Sequence, residues 1–222
     1  MRYEFLFEKL YVHNSSTISK NLKWFNSFKN KKYSLVKKNL FQLKDWNYDM
    51  RKGIIFHQSK KFFTIEGLSI KRANREIENW EQPFIKQVGY RGGIIGLIRC
   101  KFKDIPHYLV QAKFEPGNFG LIQLSPTIQA THSNLEKIHG GTKNPFLNIF
   151  KSKYSKTIIK KNVSEDGGRF LKKTNIHWII NYDGPKIKLI KSYKWITYAE
   201  LDELIRYKTI VNPHLRAIVS LL

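Results

Sequence analysis

A lysine and a glutamate two positions apart, Lys113 and Glu115, close the segment His107–Phe114 and open the turn Glu115-Pro116-Gly117-Asn118. Strand side chains repeat every two residues, so the pair shares a face if the alternation persists to Glu115. A base and a cation then face one pocket, the equipment of proton abstraction; the same spacing also describes a cross-strand surface ion pair. His57 is a further acid–base candidate because histidine titrates near neutral pH, although a single strand histidine also serves as a packed structural residue. Arg169 follows Gly167-Gly168, where flexible backbone lets an anion approach while the guanidinium makes paired hydrogen bonds to phosphate. Lys60, in the turn Ser59-Lys60-Lys61, adds a second positive charge. Both cations also read as solvated turn residues.

Gln111, Gln123, Ser125, Thr127, Gln129, Thr131 and Asn134 form a dense polar series. The odd-numbered members from 123 to 131 share a side if the stretch is extended. Their hydroxyls and amides suit hydrogen bonding to a polar ligand, and equally a solvated edge strand. Pro126 argues against a central strand and for an edge, a bulge or an extended substrate wall. Trp24, Trp80 and Trp178 can stack on a base or fill a core.

The elements that must hold these residues follow from periodicity. The apolar spacing in residues 1–50 predicts short helices, and residues 51–222 then form the main domain. Alternation in Ile54–His57 and Phe62–Leu68 predicts two strands joined by a hairpin turn. Residues 70–82 read as a helix or helical turn ended before Pro83. Phe84–Val88, Gly93–Phe102, His107–Phe114 and Gly120–Leu124 read as a sheet with its turns. Residues 136–163 read as a mobile loop with a short helix near 145–152. His177–Ile180 reads as a strand, Thr197 with Glu200 as a capping box opening a helix through Tyr207, and Asn212-Pro213 as the start of a last helix. With helices and strands both expected, the fold class is α+β.

The chain has 222 residues with 40 Lys+Arg against 17 Asp+Glu, a net charge of +23. With 41% hydrophobic and 14% aromatic residues it is too apolar for a disordered basic tail, and one domain of this length buries roughly 70% of its unfolded surface. No apolar run approaches the ~20 residues of a membrane span. The N-terminus carries Glu4 and Glu8 and does not read as a secretory signal, so the expected compartment is the cytoplasm. Cys100 stands alone, which excludes an intramolecular disulfide and a cysteine zinc cluster. The basic charge also fits a nucleic-acid binder, but the lysines are spread along the chain and no helix-turn-helix, zinc-finger or RNP pattern is present.

Three segments together carry a resemblance: Phe62–Leu68, the run from Gln111 through Asn118 and Gln123 to Thr131, and Ser164-Glu165-Asp166-Gly167-Gly168-Arg169-Phe170. Trp80-Glu81-Gln82-Pro83, Tyr193–Thr197 and Val211-Asn212 extend it over most of the chain after residue 50. The chain resembles the nucleotide-diphosphohexose 2,3-dehydratases of deoxysugar biosynthesis. Two departures stand out. Members of that family are usually about twice as long with two such halves, so the resemblance implies a homodimer in place of the duplication. The tyrosine that the family tends to carry after the Ser133-Asn134 match is Leu135 here.

The resemblance implies a Nudix-like fold, a mixed β-sheet flanked by helices, but the Glu-rich Nudix helix has no counterpart, so Mg²⁺-assisted diphosphate cleavage lacks its ligands. It implies removal of water across C2–C3 of a thymidine-diphosphate 4-keto-6-deoxyglucose, with no cofactor and no metal. Glu115 would be the base, Lys113 would stabilise the enolate or help protonate the leaving hydroxyl, and His57 is the remaining acid–base candidate. The substrate-binding set comprises Gln87, Gln111, Asn118, Gln123, Ser125, Thr127, Gln129, Thr131 and Asn134, with Arg169 and Lys60 for the diphosphate. The dione product would pass to an NADPH-dependent ketoreductase. A non-catalytic half that binds nucleotide-sugar and a basic nucleic-acid binder are the alternatives.

Overall fold

The computed structural model describes residue 8 and residues 15–29, 34–71, 79–90, 92–131, 144–207 and 209–222. Eleven strands among these residues form two sheets. The smaller sheet is an antiparallel meander of β1 (Trp46–Asp49), β2 (Ile54–His57), β3 (Phe63–Ile70) and β4 (Trp80–Gln87). The larger sheet contains β5 (Ile94–Phe102), β6 (Ile105–Phe114), β7 (Ile122–Ser125), β8 (Ile128–Ala130), β9 (Ser155–Ser164), β10 (Thr174–Tyr182) and β11 (Tyr193–Thr197). Its main order is β11-β6-β5-β10-β9, and the β5/β10 pair is parallel while the others are antiparallel. The architecture is therefore α+β, as the helix and strand patterns predict, and its sheet is mixed, as the resemblance implies.

β5 and β10 are central, buried on both faces, and accordingly read as near-continuous apolar runs. Ile95, Leu97, Tyr108, Val110 and Ile179 pack on one face against α1 (Ser15–Lys29), α2 (Tyr198–Arg206) and α3 (Pro213–Val219). Ile98, Leu109 and Ile180 pack on the other face beneath Phe146 and Phe150. Gly96 is needed there because a Cβ would stand 2.6 Å from Cζ of Phe150. The α2 capping box is present: Thr197 Oγ1 accepts from the Glu200 amide at 3.3 Å and Glu200 Oε2 accepts from the Thr197 amide at 2.9 Å.

Between β5 and β6 the sheet forks. The two strands pair from Ile98/Leu109 to the hairpin turn, then separate; β7 takes over the edge of β6, and β8 takes over the edge of β5. Pro126 sits between β7 and β8, where the chain changes partner and a ladder donor is not required. Thr127, fully buried, fills the fork: its Oγ1 accepts from the Ile98 amide at 3.0 Å and donates to the Leu109 carbonyl.

The other end of this sheet carries a buried charge pair. Arg99 donates to Glu8 Oε1 from Nη2 at 2.5 Å and to Asn181 Oδ1 at 2.8 Å, and the Tyr108 hydroxyl donates to Glu8 Oε2 at 2.7 Å. Burial, and then the Glu8 charge, push the Tyr108 hydroxyl well above its ordinary value.

Several elements differ from expectation. Trp46–Asp49, within the stretch read as short helices, is strand β1. Residues 79–82 are not helical: β4 starts at Trp80 and carries Pro83 on a strand that pairs along its length only with β3, where a missing N–H is tolerated. Residues 72–78 lie outside the described residues. The expected helix near 145–152 reduces to a 3₁₀ turn at Ile149–Lys151, and the lysine-rich run after it is β9, a sheet edge whose exposed lysines hide the strand period. Asn134 and the glycine pair Gly140-Gly141 lie outside the described residues.

Candidate active site

The end of β6 builds the site. The connection from Glu115 to Leu121 is closed by main-chain hydrogen bonds from the Glu115 amide to Leu121 at 3.0 Å and from the Asn118 amide to Glu115 at 3.0 Å, and Asn118 Nδ2 donates to the Lys113 carbonyl at 3.2 Å. Held this way, Glu115 Oε1 lies 2.9 Å from Lys113 Nζ, so the two residues do meet. Lys113 Nζ also donates to the Gln129 carbonyl at 3.0 Å, and Gln129 Nε2 stands 3.0 Å from each Glu115 oxygen. A carboxylate that accepts on one side fixes the Gln129 amide with its oxygen turned away. That oxygen accepts from Asn212 Nδ2 at 2.8 Å, which also donates to Ser125 Oγ at 2.9 Å.

Asn212 reaches this position because residues 210–212 run beside β7. The Leu124 amide donates to Ile210 at 2.7 Å and the Asn212 amide to Leu124 at 2.9 Å. Asn212 is also the N-cap of α3, its Oδ1 accepting from the Leu215 amide at 2.8 Å. The cap places His214 in the first turn, where it faces a cavity of about 480 Å³ together with Glu115, Asn118, Gln123, Asn212 and Arg216. Phe119, 75% exposed, stands at the same cavity. Gln123 Nε2 is turned to the Thr209 carbonyl at 2.6 Å.

Behind His214 lies a second polar layer. Its Nδ1 is 3.8 Å from Glu165 Oε1, an oxygen that also accepts from Asn175 Nδ2; Asn175 Oδ1 in turn accepts from the Gly93 amide at 2.9 Å. Burial pulls the His214 imidazole below its ordinary value, with Glu165 and Glu115 opposing that shift and Lys173 and Lys113 reinforcing it. Burial likewise lowers His177, helped by the His214 charge and opposed by Glu165. His177 is 2% exposed, and its Nδ1 has no hydrogen-bond partner among the described residues.

The expected residues thus divide. Lys113, Glu115, Asn118, Gln123, Ser125 and Gln129 come together, and Gln111 is the register partner of Ser125. Thr127 is committed to the sheet fork, and Thr131 follows the end of β8. His57 stands on the smaller sheet, its Nδ1 2.8 Å from Ser59 Oγ and its ring against Trp46 and Phe62. Lys60 follows it in the turn with φ 53°, and Gln87 is buried at the end of β4. Arg169 lies on the β9–β10 loop, where its carbonyl accepts from the Ile85 amide at 2.9 Å and its Nη1 donates to the Gly168 carbonyl at 2.9 Å. Asn212, His214 and Glu165 were not singled out by spacing. Asn212 and Glu165 fall inside segments that carry the resemblance, and His214 lies two positions past one of them.

Among the described residues no group of three or more His, Cys, Asp or Glu side chains gathers as a metal site, and no helix is long and apolar enough to cross a membrane.

A family model described as NDP-hexose 2,3-dehydratase matches residues 19–222. The dTDP-4-dehydro-6-deoxy-alpha-D-glucopyranose 2,3-dehydratase of Amycolatopsis orientalis is 34% identical over 186 residues, which are 81% of this chain and 39% of that protein. The protein of the same name from Streptomyces violaceoruber is 32% identical over 85% of this chain and 42% of its own length. The chain spans about two fifths of the length of the curated relatives it matches. Among solved structures, the Nudix hydrolase RenU from M. smegmatis aligns with a TM-score of 0.35 and 12% identity over 60% of this chain and 88% of its own. The C. elegans Ap4A hydrolase aligns with a TM-score of 0.29 and 14% identity over 57% of this chain and 96% of its own.

Proposed function

Because the chain belongs to the NDP-hexose 2,3-dehydratase family, we propose that it removes water across C2–C3 of a dTDP-4-keto-6-deoxyglucose, giving a 3,4-diketo-2,6-dideoxy sugar. The observation that carries this reading is the Glu115 carboxylate at the cavity, held in one position by Lys113 and Gln129. The 4-keto group acidifies the hydrogen at C3, and Glu115 takes it as a proton. The electron pair left behind forms an enolate whose charge develops on the C4 oxygen, where the Lys113 ammonium supplies the compensating charge. Collapse of the enolate expels the C2 hydroxyl, and the enol product tautomerises to the dione. Gln129, Ser125 and Asn212 keep the carboxylate aimed, and Asn118 and Gln123 line the same cavity.

The dione is reactive, so an NADPH-dependent ketoreductase is the expected next enzyme. Two copies of the chain are expected to pair, and Leu35, Val36, Leu40, Phe41 and Met50 offer exposed apolar side chains for such a contact.

The test is incubation with freshly generated dTDP-4-keto-6-deoxyglucose without metal, followed by mass spectrometry. Loss of one water with the diphosphate intact is the expected result. Unchanged substrate, with Mg²⁺ absent or present and with a ketoreductase added to trap the dione, refutes the reading. Release of free nucleotide that requires Mg²⁺ indicates a hydrolase instead.

A further inference from the structure

On the dehydratase reading, on which this inference rests, the departing C2 hydroxyl must gain a proton while Glu115 still holds the one taken from C3. A second acid–base group facing the same cavity would supply that proton without waiting for Glu115 to release its own. We infer that His214 is this proton donor and that Glu165 is the residue that positions it.

His214 and Glu115 come from elements 99 positions apart in the chain, yet both line the cavity of about 480 Å³. Glu165 Oε1 stands 3.8 Å from Nδ1 of His214, within ion-pair distance but beyond hydrogen-bond reach, so Nδ1 faces that carboxylate and the donor role falls to Nε2. Glu165 is itself fixed: Asn175, 4% exposed, donates to its Oε1, the Gly93 amide anchors Asn175 at 2.9 Å, and the Glu165 amide donates to the Lys173 carbonyl at 2.9 Å. A carboxylate held from behind and this close to an imidazole favours its protonated form and a ring turned with Nδ1 towards the charge. No step assigned to Glu115 and Lys113 uses Glu165.

The charged groups around the imidazole come from every element packed on it: Glu165 and Lys173 at the two ends of the β9–β10 loop, His177 from β10, Glu115 and Lys113 from the end of β6, and Arg216 from α3. Burial favours the neutral ring, and the two carboxylates favour the charged one. An anionic diphosphate entering the cavity shifts this balance towards the imidazolium, so the acid is charged when substrate is present.

The step balances. The C3–H bond breaks to Glu115, and its electron pair becomes the C3=C4 bond of the enolate. C4=O re-forms as the C2–O bond breaks and C2=C3 forms, and the departing oxygen takes the Nε2 proton and leaves as water. Glu115 then returns its proton and His214 regains one, both by exchange with solvent.

The experiment uses substrate deuterated at C3, in ordinary water, with wild type, Glu115→Gln, His214→Gln and Glu165→Gln, each checked for folding by circular dichroism; His214→Asn replaces His214→Gln if the latter does not fold. His214→Gln is expected to lose the C3 label to solvent while losing water at least ~100-fold more slowly than wild type. Glu115→Gln is expected to do neither. Glu165→Gln is expected to move the high-pH limb of the water-loss profile to lower pH, because an acid that lacks its neighbouring carboxylate gives up its proton earlier. Independently of substrate, the His214 imidazole followed by NMR is expected to titrate at lower pH in Glu165→Gln than in wild type.

Water loss by His214→Gln at the wild-type rate overturns the donor role, as does label loss by Glu115→Gln but not by His214→Gln. Identical His214 titration with and without the Glu165 carboxylate overturns the positioning role. A wild-type protein that neither releases the label nor loses water overturns the dehydratase reading and the donor role with it, while the titration still decides whether Glu165 sets the His214 ring.

Discussion

Gln129 Nε2 stands 3.0 Å from both carboxylate oxygens of Glu115, while its own oxygen is held by Asn212 at 2.8 Å. A side-chain amide has one donor end and one acceptor end, so this arrangement is satisfied in one orientation only. The α3 cap thereby sets the aim of a carboxylate at the end of β6.

Glu115→Gln is expected to lower turnover by about 10²- to 10⁴-fold while leaving nucleotide-sugar affinity within a few-fold, because it keeps the volume and removes the proton acceptor. Product formation by mass spectrometry and affinity by calorimetry read the two effects separately. Turnover at the wild-type rate in this variant would mean that Glu115 is not the base.

Asn212→Asp keeps an oxygen to cap α3 but puts an acceptor where the Gln129 oxygen needs a donor, while the Ser125 hydroxyl can reverse and donate. Gln129 is expected to turn over, withdrawing its Nε2 from Glu115, so the variant folds and loses activity. Asn212→Ala removes the cap as well and is expected to cost about 1–3 kcal/mol in urea unfolding. An Asn212→Asp protein with undiminished turnover would detach the cap from the site.

The Glu8–Arg99 pair has side chains only 5% and 6% exposed. Glu8→Ala removes a buried carboxylate that pairs with the Arg99 guanidinium and accepts from the Tyr108 hydroxyl, and is expected to lower the unfolding free energy by about 3–5 kcal/mol. Glu8→Leu combined with Arg99→Met is expected to recover part of that loss, because both desolvated charges are then gone while the Tyr108 hydroxyl and the Asn181 amide lose the partners they had there. A single variant as stable as wild type would show that the pair contributes nothing net.

His177 and His214 both titrate below the ordinary imidazole value in the folded chain, burial being the first cause for each. Below about pH 6.5 the unfolded chain therefore binds more protons than the folded one, and stability rises with pH in that range. The contribution is present above about pH 6.5 and is lost as pH falls through the two folded-state values. Urea midpoints at pH 7.5 and pH 5.0 are expected to show this loss, and His177→Leu to reduce it. Equal midpoints at both pH values would contradict the burial effect.

Much of the fold is legible in residue order. β5 and β10 announce themselves as apolar runs, α2 by Thr197 and Glu200, and α3 by Asn212-Pro213. β1, β4 and β9 were harder to read. β4 carries Pro83 and β9 is lysine-rich, features of sheet edges that a periodicity rule discounts. Thr127 looked like a member of a polar wall, but its hydroxyl bridges two strands at the fork. Only the partner change at Pro126 reveals that use.

By itself the sequence determined the α+β class, the meeting of Lys113 with Glu115 and the family to which the chain belongs, because these depend on local spacing and on an ordered string of residues. Only the tertiary structure decided that Asn212 orients Gln129, that His214 shares a cavity with Glu115, and that Glu165 stands behind it. Those contacts join residues some 50 to 100 positions apart, and no local periodicity records which distant segments a sheet fork and a helix cap will bring together.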